Sequence, residues 1–506
     1  MSKFNQANTS PKALSANGNL QYVKPEKQQL YELVVNTLYG RDTYYESTDD
    51  KAKRLSTIVT KLVADGELDF LANLAVHARH EMNVRNMPVM LVDQTVKALK
   101  NQGKNFAGTR TLVSQVVGRV DQITDLLALL GTKTKMPMAL KRGLSDAFNK
   151  FNEYQFAKYN RAGKVTLKDA MRIVHPVPRD VDTSILFDKI MKDTLETPDT
   201  WEVALSRDGN TKEVWEGLID RKVLGYQATL KNLRNMLNAG VSTDHQRQVA
   251  KYIIDFAASS KSLPFEFLAS MEAINSLGSQ ILNNALIEAM DASVVNVPSL
   301  GNKVLVLLDT SGSMRFDNNL AIRNASFLSA VLSSSSKNCE KFTLITFASQ
   351  AERQPVNTSE RVFSTYEKLF RNSNGGSTNF LSGLQEAESD GEQYDTIIVL
   401  TDNEMDDFKR TRSLSHFQPQ ATKVIINCAA STTSVAPIYS GWIHLAGWSP
   451  NMFRYLDAVR EGTSIVQMLS QPFSTFLMRH DLESRRISSK EIAKSNVPKA
   501  GLVHSD

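Results

Sequence analysis

Two cysteines in 506 residues, Cys339 and Cys428, are too few for a disulfide framework or a cysteine-rich zinc site. Each lies in or beside an apolar stretch, and both read as reduced core thiols. Long apolar runs are also missing, since none approaches the roughly 18 to 20 residues that a membrane span needs. The opening stretch MSKFNQANTSPKALSANGNL has no apolar core of the kind a signal peptide carries. A cytoplasmic protein without a membrane partner is expected. A strong charge of one sign is absent too: the net charge is +5, with 22% charged and 42% hydrophobic residues, as in soluble globular chains. The positive excess lies in residues 1–300, which leans toward an anionic partner there, although an ordinary solvated surface has the same balance. Catalytic signatures are lacking as well. The chain has no G-x-S-x-G, no phosphate-binding G-x-x-x-x-G-K-[ST], no H-E-x-x-H and no G-x-G-x-x-G after a strand. A binding protein, not an enzyme, is expected.

What is present divides the chain in two, as its length leads one to expect. From about 25 to 290 the apolar spacing is helical almost throughout. KAKRLSTIVTKLVADG (51–66) puts Leu55, Ile58, Leu62 and Val63 on one face and stops at Gly66. ELDFLANLAVHARHEMN and MPVMLVDQTVKALK follow as a second pair, with Pro88 in a first turn, where a missing N–H costs little. VDQITDLLALLG and PMALKRGLSDAFNKFN form another, and GYQATLKNLRNMLNAG, DHQRQVAKYIIDFAAS and PFEFLASMEAINSL come later. Paired helices without strands between them predict an all-α solenoid of HEAT-like units; a compact bundle satisfies the same pattern. Near VPSLGNK (297–303) the pattern changes to short apolar runs alternating with helical ones: KVLVLLD, FTLITFAS, TIIVLTD and KVIINCAA. Continuous apolar strands with helices between them predict a doubly wound α/β domain around a parallel sheet. The expected organisation is an arm at 1–20, a helical domain at 21–296, the α/β domain at 297–478 and a tail at 479–506.

Asp309-x-Ser311-x-Ser313 stands at the carboxyl end of the first strand, where ligands of open α/β sheets bind. The Gly-rich loop NSNGGSTNF offers Thr378, and TIIVLTDNE ends at Asp402. Two carboxylates and three hydroxyls suit a hard divalent cation such as Mg²⁺, which keeps some of its six oxygen ligands as water. A position then stays open for a partner carboxylate. In order and in context, these residues resemble the metal-ion-dependent adhesion site of the von Willebrand factor type A domain, over about 300–475. Ser311 or Ser313 as a nucleophile is the competing reading, but no nearby histidine offers itself as a base.

The window 141–179 is the most suggestive part of the helical half. Lys141, Arg142, Lys150, Lys158, Arg161, Lys164, Lys168, Arg172 and Arg179 are interleaved with Phe148, Phe151, Tyr154, Phe156 and Tyr159. Cations neutralise phosphates and aromatic rings stack on bases, so this is a candidate nucleic-acid surface. In VTLKDAMRIVHPVP, Thr166 and Asp169 form a capping-box-like pair, and Pro176 ends the helix. Lys168, Arg172 and His175 fall together on one stripe, with Leu167, Met171 and Val174 on the adjoining apolar face. A solvated face of a core helix has the same appearance.

KYNRAGKVTLKDAMRIVHPVP (158–178) resembles the signature region of the Ro autoantigen family, the TROVE domain. DTYYES (42–47), HARHEMNVRNMP (77–88), LKRGLSDAF (140–148), TPDTWE (197–202), ATLKNLRNM (228–236), SLPFEFL (262–268), TDNEMDDF (401–408) and LAGWSPNMFRYL (445–456) agree with it. The resemblance spans about 20–475. It implies a ring of HEAT-like repeats closed by a type A domain. It also implies binding of small non-coding Y RNAs on the outer basic surface and of single-stranded 3′ ends of misfolded RNAs in the central hole. The implied role is RNA quality control, in bacteria together with an exoribonuclease. Residue by residue, the family's RNA-contacting lysine falls on Lys158 and its histidine on His175, with Lys141 and Arg142 as a basic pair on the same surface. Where the family can have a further basic residue this chain has Ala162, beside Arg161. The alternative is a monomeric scaffold that captures partner carboxylates through the metal site. A monomer is expected in either case.

Overall fold

The computed structural model describes residues 12–14, 20–35, 48–131, 136–160, 163–373, 375–404, 417–429, 433–435, 441–446, 451–460 and 465–481. Arg161, Ala162 and residues 482–506 of the expected tail lie outside them, as do residues 1–11 and 15–19 of the expected arm.

Among the described residues, sixteen α-helices, α1 (Glu26–Val35) to α16 (Gln280–Ser293), build the first half. α2 (Thr48–Ala64) buries Leu55, Ile58, Leu62 and Val63, the face that the sequence spacing selects. It stops at Gly66, whose φ of +83° suits a residue without Cβ. α4 (Met87–Asn101) carries Pro88 in its first turn, as expected. Helices pack on neighbours one or two places along the chain. α2 lies on α4, α5 (Thr109–Val116) on α7 (Met138–Phe148), and α14 (Thr243–Phe256) on α16. Repetition of this local packing, with no strand between α1 and α16 among the described residues, gives a solenoid and not a bundle with one central core.

Two short strands, β1 (Lys12–Leu14) and β2 (Leu20–Val23), precede α1, so the described part of the expected arm is paired backbone. β3 (Lys303–Asp309), β4 (Lys341–Phe347), β5 (Ala351–Gln354), β6 (Thr396–Thr401) and β7 (Thr422–Asn427) follow. Then come β8 (Thr433–Ser434), which joins β1 and β2, and β9 (Trp442–Ala446). The main sheet has the order β5-β4-β3-β6-β7-β9 and is parallel except for the edge strand β5. Period-2 alternation divides β3: Val304, Val306 and Leu308 join the core shared with the helical half. Leu305 and Leu307 join a second cluster, under Phe380, Leu384 and Ala387. Both faces are buried, which is why these strands read as unbroken apolar runs.

Phe265 packs edge-on against Phe327 at 5.3 Å and Tyr31 lies 5.3 Å from Tyr455, so aromatic contacts join the two halves. α16 packs on α18 (Val362–Arg371) at one end of the helical series. At the other, α21 (Ile465–Leu469) lies on α1 and on α3 (Leu68–His80). Asn73 donates to the carbonyls of Leu469 and Gln471, and Asp69 accepts from the N–H of Phe473. Helical residues 473–481 continue along this face, where His80 and His480 meet edge-on. Residues 465–481 are thus placed on the helical half, and the series starts and ends on the α/β domain, which closes it into a ring. No helix among the described residues is long and apolar enough to cross a membrane.

Candidate functional site

β3 is the first strand of the main sheet, and the chain proceeds from it to β4 on one side and later to β6 on the other. The crevice at the carboxyl ends of β3 and β6 is therefore the switch point where such sheets bind ligands. Asp309 ends β3. Its Oδ2 accepts from Thr401 Oγ1 at 2.7 Å and its Oδ1 from the N–H of Ser311 at 2.9 Å. Ser311 Oγ stands 3.3 Å from Ser313 Oγ. Asp402 follows β6, and its Oδ1 accepts from the N–H of Glu404 at 3.0 Å. The loop carrying Thr378 is fixed to this turn through the backbone, Gly312 N–H to Gly376 carbonyl and Gly375 N–H to Thr310 carbonyl. φ angles of +75° and +117° at Gly375 and Gly376 give the loop its tight path. Four of the five residues nominated for a metal thus share one cradle. Thr378 is buried on the adjoining loop but hydrogen-bonds none of the other four.

Asp309 and Asp402 are both buried. Burial, and then the neighbouring Asp402 charge, pushes Asp309 up to about 7; Asp402 is raised as well, chiefly by burial. Oδ2 of Asp402 has no hydrogen-bond partner among the described residues. An orphaned buried carboxylate oxygen beside a second carboxylate is costly unless a cation balances it. Oxygen-only donors of this kind fit a hard divalent ion. Sequence reasoning missed two members of the cradle, Thr401, which holds Asp309, and buried Glu404 beside Asp402. Thr401 adjoins Asp402 and Glu404 lies two residues beyond it, which was the available signal. Cys428 is buried beneath the cradle and Cys339 is half-buried; both are free thiols.

The basic window is less uniform than its sequence. Phe148 and Phe151 are each buried against Phe156, with ring centroids 5.9 Å from it, and the three cannot stack on bases. Tyr154 is 51% exposed. Tyr159 is half-buried beneath the Arg119 guanidinium, 4.8 Å from the ring centroid. The expected alternation of cations and base-stacking rings is thereby corrected: the phenylalanines are core, because helices α7, α8 (Glu153–Tyr159) and α10 (Val181–Lys192) converge there. α9 (Leu167–Val174) begins with a full capping box, in which Thr166 and Asp169 each accept from the other's backbone N–H. Leu167, Met171 and Val174 are buried as expected. His175 is the left-handed C-cap of α9, with φ +52°, and is exposed to solvent.

Several of the nominated cations already have partners. Lys158 lies 3.5 Å from Glu202, Lys168 pairs with Asp193 and Arg172 lies 3.7 Å from Asp169. Such surface pairs contribute about 0–1 kcal/mol each, so exchanging a carboxylate for a phosphate costs little. Lys141, Arg142 and His175 have no ion pair or side-chain hydrogen bond among the described residues. Arg161 lies outside those residues.

The family model of the TROVE domain matches residues 19–194 and 188–374. Telomerase protein component 1 of Mus musculus is 22% identical over 349 residues, which make up 52% of this chain and 13% of that protein. Its counterpart in Rattus norvegicus matches with the same identity and coverage. The chain thus spans a small part of the length of these curated relatives. The crystal structure of the Deinococcus radiodurans RO (RSR) protein superposes with a TM-score of 0.62 at 16% identity. That likeness covers 87% of this chain and 100% of the other, and it is one of fold.

Proposed function

Because the chain belongs to the TROVE domain family, we propose that it is an RNA-binding protein of the Ro type. Its outer basic face would hold a small non-coding RNA, Y RNA or Y-like, and its ring cavity the single-stranded 3′ ends of misfolded RNAs. The role is RNA quality control or processing in the cytoplasm, by a monomer that works with an exoribonuclease. The family match across the helical half carries the reading. The geometry supports it through the cations of α7, α8 and α9. Lys141, Arg142 and His175 are ready to take phosphates, and Lys158, Lys168 and Arg172 can exchange exposed carboxylates for them. Arg161 belongs to the same proposal by sequence position.

Asp309, Ser311, Ser313, Thr378 and Asp402 would hold a divalent cation, Mg²⁺ by the chemistry of the donors, and the ion would supply a Lewis-acidic anchor. A second reading of that site is capture of a partner protein's carboxylate through an ion held there, and the unpartnered Oδ2 of Asp402 is the observation that favours such an ion.

The test is binding of a structured RNA with a single-stranded 3′ tail, at two salt concentrations, to wild type and to Lys158→Ala/His175→Ala. Tight, salt-sensitive binding that the double substitution weakens severalfold is the expected result. Binding indifferent to both residues and to salt would sink the RNA reading.

A further inference from the structure

We propose that Arg79, which lies against Gly118, and the adjacent Arg119 form a site for one phosphodiester group of an RNA strand. The inference rests on the RNA-binding reading above and adds a contact that neither the sequence pattern nor the family match singles out. Arg79 comes from the last turn of α3. Gly118 and Arg119 lie in the connector between α5 and α6 (Asp121–Leu130). A Cβ on Gly118 would stand 2.1 Å from Nη2 and 2.5 Å from Nε of Arg79, so that guanidinium lies directly against bare backbone. The Arg79 side chain has no hydrogen bond or ion pair among the described residues. Arg119 pairs with Asp121 through Nη2 and rests on the Tyr159 ring, but its buried Nε and Nη1 have no partner.

A third cation faces the same connector. Lys150 donates to the carbonyls of Ser114 and Val117, at the end of α5. Burial and then the Arg79 charge lower it to about 8, and Arg79 itself is lowered by burial and by Arg119. The acids nearby are Asp121, Asp125 and Asp146, and Asp146 is engaged by Arg110 in a two-pronged pair. Asp121 is the ion-pair partner of Arg119, so three cations face one uncommitted carboxylate, Asp125, with guanidinium donors left over. Orphaned guanidinium donors cost free energy until an acceptor arrives, and a phosphate takes two arginines in forked geometry better than a single planar carboxylate does. Arg79 is half-buried and the Arg119 side chain 20% exposed, so the approach is open on the Arg79 side, while Nε and Nη1 of Arg119 lie beneath the surface. The site also joins the proposed RNA face, because Lys158 Nζ lies 6.0 Å from the same Tyr159 ring that carries Arg119.

The experiment titrates a fluorescent uridine 10-mer and a structured RNA with a 3′ tail against wild type, Arg79→Gln, Gly118→Ala and Arg79→Gln/Arg119→Gln, across a salt series. Thermal midpoints are read in parallel. Gly118→Ala keeps the net charge and the Arg119–Asp121 pair, but its methyl group displaces Arg79. The double variant should bind roughly tenfold more weakly and show a salt slope shallower by about 0.7, the contribution of one phosphate contact. Gly118→Ala should lose severalfold affinity without loss of stability. Unchanged affinity in Arg79→Gln and Gly118→Ala, with Lys158→Ala/His175→Ala still weakening RNA, would overturn this inference and leave the RNA reading standing. No salt-dependent binding by wild type would overturn both. Arginine-dependent stabilisation by inorganic phosphate, with RNA affinity unchanged in the variants, would overturn the assignment to a phosphodiester.

Discussion

Replacing Asp402 by Asn should stabilise the metal-free protein and abolish its response to Mg²⁺. Asp309 and Asp402 are buried, the Asp402 charge adds to burial in raising the proton affinity of Asp309, and one oxygen, Oδ2 of Asp402, has no partner among the described residues. Asn keeps the Oδ1 acceptor for the Glu404 N–H and removes one uncompensated charge. Relief of an unsatisfied buried group gains about 1–3 kcal/mol. Each kcal/mol moves the midpoint of a domain of this size by about 2–4 °C, so a rise of several degrees is expected in a chelator. In wild type, Mg²⁺ at a hundred times its dissociation constant should add about 2.7 kcal/mol, and Asp402→Asn should lose that gain. Differential scanning fluorimetry in EDTA and in Mg²⁺ reads both numbers. The reasoning is refuted by a variant less stable than wild type in EDTA, or by one that responds to Mg²⁺ as wild type does.

Phe156→Ala should cost about 3–5 kcal/mol in chemical unfolding, because its ring is fully buried between Phe148, Phe151 and Phe187, whereas Tyr154→Ala should leave stability within about 0.5 kcal/mol. Lys24 and Glu32 form a 2.7 Å ion pair with both side chains buried, so Lys24→Met alone should destabilise by about 3–5 kcal/mol by leaving a buried carboxylate, and Lys24→Met/Glu32→Leu should recover most of that. Burial, and then the Lys24 charge, holds His444 down at about 3, so the unfolded chain takes up its proton first as pH falls below about 6.5. Stability from this group should decline by about 2 kcal/mol between pH 6.5 and 5, and that decline should be absent from His444→Gln and so appear as the pH-dependent difference between wild type and variant in urea titrations at the two pH values.

Much of this was written in short stretches of sequence. β3 occupies the predicted run KVLVLLD, and Thr166 and Asp169 form the capping box expected of them. Both depend on neighbours within a turn or a pleat, so local periodicity is enough. The edge strand β5 and the strand β9 went unread, because AERQ is polar and WIHLA alternates only briefly; their partners, in β4 and β7, make them strands. The phenylalanines between 148 and 156 were misread for the same kind of reason. Their spacing beside lysines suits a stacking surface or a core equally, and only the approach of α10 makes it a core.

By itself, then, the sequence determined a helical half, an α/β half and an acidic, hydroxyl-bearing turn at the end of β3, since each follows from backbone preference and side-chain period over a few residues. Tertiary structure decided which of those residues meet. Asp309 finds Thr401 across 92 positions, residues 465–481 return to cover α3, and Arg79 comes to rest on Gly118. These contacts are separated widely along the chain, and their energies depend on burial that no local window contains.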